Sequence, residues 1–117
     1  MKNFKLSEFD SPDLPGSGEL MDDTFLQMLD NARDIAGVPF IITSGYRTPN
    51  HNQFVGGVDS SAHTKGHAAD ISCRDSKSRY NIINSLQVAG FTRIGIASTF
   101  IHCDNDSEKP QEVIWVY

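Results

Sequence analysis

Two imidazoles and a carboxylate, His63, Asp70 and His102, have the residue types and the spacing to meet at one metal ion. Neutral imidazole and carboxylate are both good zinc donors, and three protein ligands are the number a catalytic zinc keeps, its fourth position staying open for water or substrate. Zinc in such a site lowers the pKa of its bound water to about 7, so the chemistry indicated is metal-assisted hydrolysis. His63 and Asp70 belong to the run Ser61-Ala62-His63-Thr64-Lys65-Gly66-His67-Ala68-Ala69-Asp70, and His102 opens His102-Cys103-Asp104. Gly66, between the first two ligands, allows the chain to fold back on itself.

Asp104 follows His102 by two residues, so on a strand both side chains point to one face. It could orient a ligand histidine from behind or face the open coordination position. His51 and His67 are read as surface or structurally satisfied residues. Cys73 and Cys103 lie close in sequence to proposed ligands, but two cysteines are too few for a disulfide framework. They are expected to be reduced, partly buried thiols, because His and Asp already fill three ligand places.

These groups need a scaffold. Met21, Phe25, Leu29, Ala32 and Ala36 recur at three- and four-residue steps and predict a helix over 22–36, ended by Gly37. Val38 to Thr43 reads as a buried strand and Ser44 to Pro49 as a turn. A short helix over 50–55 is broken by Gly56-Gly57. Ala69 to Cys73 is a strand entered through the His63 loop. A second long helix is expected over 76–88, then strands over 93–97, 100–104 and 113–117. If the strand of His102 pairs beside that of Asp70, all three donors converge. Residues 1–20, rich in Ser, Pro, Gly and Asp between Phe9 and Gly18, are expected to be an irregular lead-in. The order of elements implies one α+β domain over 1–117, with helices packed on a small, mostly antiparallel sheet.

Composition narrows the function classes. A chain of 117 residues has enough length to bury a core without a metal staple, so a metal would be functional rather than structural. A net charge of −5, with ten Lys and Arg that form no cluster, argues against nucleic acid as a partner. No apolar run approaches the ~20 residues of a membrane span. Met1 to Glu8 has no apolar signal-peptide core, so synthesis in the cytoplasm is expected.

The pattern Ser-x-His-x-x-Gly-x-Ala-x-Asp over Ser61–Asp70, with His-x-Asp over His102–Asp104 and Ser44-Gly45-Tyr46-Arg47-Thr48 upstream, resembles the D-alanyl-D-alanine carboxypeptidase family of zinc peptidases. The likeness spans roughly residues 38 to 104 and is nearest to the short members, among them phage endolysins. It implies a fold similar to that of the hedgehog signalling domain, and zinc held by His63, Asp70 and His102. The implied substrate is a peptidoglycan stem peptide. Arg47 matches an arginine that holds a substrate carboxylate or carbonyl, a task its planar fork suits. Ser61 contacts substrate or braces the loop. Where several members carry an acidic or histidine general base three residues before the last ligand, this chain has Thr99. Asp104 is the nearest substitute for that catalytic role, with His67 and Asp106 behind it. The family's carboxypeptidase or endolysin activity is therefore the first expectation, and a non-catalytic zinc-containing module that binds cell wall or a partner is the alternative. A monomer is expected, and the missing leader fits a phage-encoded or virion-associated protein.

Overall fold

The side chains of the central strand face alternately towards a packed core and towards an open cleft, and that alternation organises the structure. In the computed structural model, which describes residues 1–117, this strand, β4 (Phe100–Asp104), turns Ile101 and Cys103 into the core at 0% exposure. Phe100, His102 and Asp104 take the opposite face, as the period of a strand requires. Its neighbour β2 (Ala68–Ser72) behaves likewise: Ala69 and Ile71 enter the core and Asp70 does not.

Two long helices cover the core face. In α1 (Asp23–Ala36) the stripe of Phe25, Leu29 and Ala32 is fully buried, Asp22 accepts the Phe25 N–H at 2.8 Å as N-cap, and Gly37 ends the helix. A capping carboxylate at this end also meets the positive pole of the helix dipole. In α3 (Ser76–Val88), capped by Asp75, Ile82 and Leu86 pack against the same cluster. Burial of such side chains is worth about 1.5–3 kcal/mol each.

The sheet order is β1 (Ile42–Ser44), β2, β4, β3 (Arg93–Ile96) and β5 (Val113–Val116). All pairs are antiparallel except β3 with β5, which run parallel. The expected α+β architecture with a mostly antiparallel sheet is therefore present, with β2 and β4 side by side. One row of paired residues crosses the sheet at right angles to the strands: Ser44, Asp70, His102, Gly95 and Trp115.

Three local expectations shift. The first strand begins later than Val38 and lies at a sheet edge, with Phe40 buried and Ile41 66% exposed. Pro39 has no N–H for a ladder, and proline is confined to edges or strand starts. The short helix α2 (Pro49–Phe54) starts one residue early because Thr48 caps it, accepting the His51 N–H at 3.1 Å, and proline suits the first helical position. The lead-in is more ordered than irregular. Residues Leu6–Phe9 and Ser17–Leu20 form 3-10 turns, Asp10 accepts the N–H groups of Gly16 and Gly18 at 3.0 and 2.7 Å, and Phe4 and Phe9 are buried in the core.

Candidate metal centre

His63, Asp70 and His102 come together on the open face of the sheet, each at most 7% exposed. One donor atom from each lies within 4.8 Å of the others. Asp70 and His102 are paired directly across β2 and β4. His63 arrives from the 3-10 turn Ala62–Lys65, whose N-cap Ser61 accepts the His63 N–H at 3.2 Å. Gly66 ends that turn at φ +76°, and a Cβ there would stand 2.4 Å from the Leu20 carbonyl oxygen. Only glycine satisfies both the left-handed backbone and the close approach, so it is Gly66 that returns the chain into β2.

The hydrogen bonds around the histidines aim one nitrogen of each ring at Asp70. His63 Nδ1 lies 2.8 Å from the Gly45 carbonyl and must donate to it, leaving the Nε2 lone pair towards Asp70 Oδ1 at 3.3 Å. His102 Nε2 lies 2.7 Å from Asp104 Oδ2, leaving Nδ1 towards the same Asp70 oxygen at 2.9 Å. Two imidazole nitrogens and a carboxylate oxygen thus converge, an arrangement that a bound cation would satisfy and that a second proton on His102 satisfies in the protein alone. Tetrahedral donors about 2.0–2.1 Å from zinc stand roughly 3.3 Å apart, close to the spacing seen here. The residues fit a divalent metal of that kind.

Asp104 orients His102, the pattern in which a carboxylate fixes the tautomer and raises the basicity of a ligand imidazole. Asp104 Oδ1 accepts from Arg93 Nε at 2.7 Å and from the Asp106 N–H at 3.1 Å. With the protein alone, burial disfavours the charged form of His102, but its bonds to Asp104 and Asp70 outweigh this and raise its pKa above the ordinary histidine value. Burial likewise opposes ionisation of Asp70 and of Asp104. Bonding and charge from His102 and His63 hold Asp70 well below the usual carboxylate range. Those from His102, helped by the Asp106 N–H and Arg93, hold Asp104 below it too.

A cleft of about 320 Å³ opens over the three donors. On its β1 side stands Arg47. Its Nε donates to Ser44 Oγ at 3.1 Å, its Nη1 to Asn52 Oδ1 at 3.3 Å, and its Nη2 lies 3.6 Å from Asp70 Oδ2. Ser61 lines the cleft as well as capping the His63 turn. The outer wall on the β5 side is Phe100, Trp115 and Tyr117.

Other expected residues lie apart from the donors. His67 ties loops together, with Nδ1 2.7 Å from Asn105 Oδ1, and His51 stacks on Phe54 at 6.3 Å. Asp106 is bound by Lys65 and Lys109 at 3.1 and 2.7 Å. Thr99 is exposed in the β3–β4 connection. Cys73 and Cys103 are buried free thiols. Sequence reasoning missed Arg93, Asn52 and Trp115. Arg93 and Trp115 reach the site only through strand pairing, and no local motif announces them. Trp115 as the single tryptophan was the one available signal.

A family model described as peptidase M15 matches residues 3–104. No curated protein matches the chain.

Proposed function

The chain belongs to the peptidase M15 family, that of the D-alanyl-D-alanine carboxypeptidases, and from this premise we propose that it is a zinc peptidase that hydrolyses peptide bonds in peptidoglycan stem peptides. The observation that carries the reading is the convergence of His63 Nε2, Asp70 Oδ1 and His102 Nδ1 within 4.8 Å beneath an open cleft. Zinc held by these three residues would supply a Lewis acid and an activated water.

The remaining residues divide the work of binding and proton handling. Arg47 is braced by Ser44 and Asn52, so its fork is held in place before substrate arrives. It receives a substrate carboxylate or carbonyl oxygen, and this positioning lowers the entropic part of the barrier. Ser61 holds His63 and presents its hydroxyl at the cleft. Asp104 fixes His102 and, as the one cleft-lining carboxylate besides Asp70, accepts and returns the proton. The test is to incubate zinc-loaded protein with purified muropeptides and to identify the products by mass spectrometry. Release of D-Ala or of a cut stem fragment supports the reading; intact muropeptides after prolonged incubation contradict it.

One observation favours a second reading, a zinc-containing module that binds cell-wall peptide without cutting it. Both carboxylates of the cleft are engaged and held below the usual range, Asp70 by the histidines and Asp104 by His102 and Arg93. A strongly anchored carboxylate is a weak general base, and Thr99 supplies none. Hydrolysis gained only on Thr99→Glu would favour the module, whereas robust cleavage by the unaltered chain would eliminate it.

A further inference from the structure

Strand β5 holds no donor, lies beyond the matched residues 3–104, and still builds one wall of the cleft. The row across the sheet explains how. Between His102 on β4 and Trp115 on β5 stands Gly95, so nothing projects from β3 at that point. The Trp115 ring leans across the gap to within 5.5 Å of the His102 ring, and Arg93 covers it at 4.9 Å. Tyr117 continues the wall, 5.3 Å from Phe100, and is itself 68% exposed. A Cβ on Gly95 would meet Trp115 Nε1 at 2.7 Å and Tyr117 Cε2 at 2.9 Å, so both rings rest directly on the β3 backbone.

Given the peptidase reading above, on which this inference rests, we propose that Trp115 and Tyr117 determine specificity. They hold, by apolar contact, the aliphatic side chain of the peptide segment on the N-terminal side of the scissile bond. The direction follows from the row itself. Arg47, just beyond Ser44, lies on the β1 side of the donors and the rings lie on the β5 side. A peptide whose carboxylate meets Arg47 therefore runs its N-terminal segment over the rings. Ring faces favour methylene groups, with a gain proportional to the apolar area covered. The charged groups on this side, Arg93 and Lys109, are both cationic and already paired with Asp104 and Asp106. No free carboxylate is present to receive an amine, so an acylated or neutral aliphatic chain is preferred to a free ammonium group.

Trp115 is the only tryptophan of the chain, so its emission reports the wall directly. The zinc-loaded full chain is titrated with two peptides, diacetyl-Lys-D-Ala-D-Ala and acetyl-Gly-D-Ala-D-Ala, while D-Ala release is followed in the same samples. The lysine peptide should bind about tenfold more tightly, the effect of a few methylenes on an aromatic face. Tyr117→Ala, at an exposed position that leaves the fold intact, should cut that preference to about twofold while leaving the glycine peptide's affinity nearly unchanged. Gly95→Ala should do the same by lifting both rings while keeping them present. Equal binding of the two peptides by the unaltered chain, or an equal loss for both in Tyr117→Ala, overturns the proposal. Preference without D-Ala release leaves the wall standing and defeats the carboxypeptidase form of the hydrolytic reading, and intact muropeptides in the test above defeat the rest of it. Release without preference does the reverse, and a zinc-loaded protein that binds neither peptide refutes both.

Discussion

Replacing Asp104 by Asn keeps the shape of the side chain and removes one acceptor from a buried chain of hydrogen bonds. Asp104 Oδ2 accepts from His102 Nε2 at 2.7 Å, and Oδ1 accepts from Arg93 Nε at 2.7 Å and the Asp106 N–H at 3.1 Å. An amide has one oxygen and one NH2. If its oxygen stays with Arg93, the NH2 faces His102 Nε2, which must give up its proton. The imidazole then carries the proton on Nδ1, the atom that faces Asp70 at 2.9 Å and that would hold the metal. If the amide is reversed, the NH2 points at the Arg93 and Asp106 donors instead. In the first case, loss of such an orienting carboxylate costs about 10–100-fold in metal affinity, or ~1.4–2.7 kcal/mol. In both cases the Arg93 guanidinium, at 9% residue exposure, loses the charge of its partner; in the second it also loses the hydrogen bond, and breaking a buried pair in that way costs about 3–5 kcal/mol of folding stability. Competition with a chromogenic chelator at neutral pH measures the first effect, and urea unfolding of the metal-free protein the second. Zinc affinity within about twofold of the unaltered chain, in a folded Asp104→Asn protein whose metal-free stability is also unchanged, would refute the orienting role, because neither placement of the amide allows both.

Other perturbations separate the parts of the site. Arg47→Lys keeps the charge but cannot bond Ser44 and Asn52 together while presenting a fork, so kcat/KM should fall about 10²-fold with the metal content unchanged. Gly66→Ala puts a Cβ 2.4 Å from the Leu20 carbonyl oxygen at φ +76°, and should cost about 1–3 kcal/mol by chemical denaturation, with weaker metal binding as the His63 turn moves. Asp106 is bound by Lys65 and Lys109. Burial would raise its pKa, but these bonds overcome it and hold it well below the ordinary carboxylate value. A depressed pKa gives stability that is present above the unfolded value near 3.9 and is lost as pH falls through the folded value. Asp106→Asn should therefore be less stable by about 2 kcal/mol across pH 5–8, with the gap narrowing below about pH 4 in urea titrations.

The candidate donors could be read before the fold because their information is local. His63, Gly66 and Asp70 lie within one turn and one strand start, and the alternation of β4 already placed His102 and Asp104 on one face. Long helices were legible for the same reason, since their apolar stripes and caps recur within a few residues. What stayed hidden depends on strand order. Nothing in Val113–Tyr117 reveals that β5 joins β3 in parallel, and so nothing brings Trp115 to His102 or Arg93 to Asp104 until the sheet is assembled. The lead-in misled for a different reason. Its Pro and Gly residues signal turns correctly, but Phe4 and Phe9 have no periodic partners, and only tertiary packing shows that they complete the core.

The central claim is that His63, Asp70 and His102 together hold one catalytic metal ion. Elemental analysis of protein reconstituted with zinc and freed of excess metal tests it most directly, set beside His63→Ala and His102→Ala and repeated as thermal melts with and without chelator. The expected result is one zinc per chain, lost in both variants, with a chelator-sensitive melting temperature in the unaltered protein alone, because a metal that binds only the folded state stabilises it. Zinc far below one per chain, or equal zinc in all three proteins, with melting indifferent to chelator, would contradict the account.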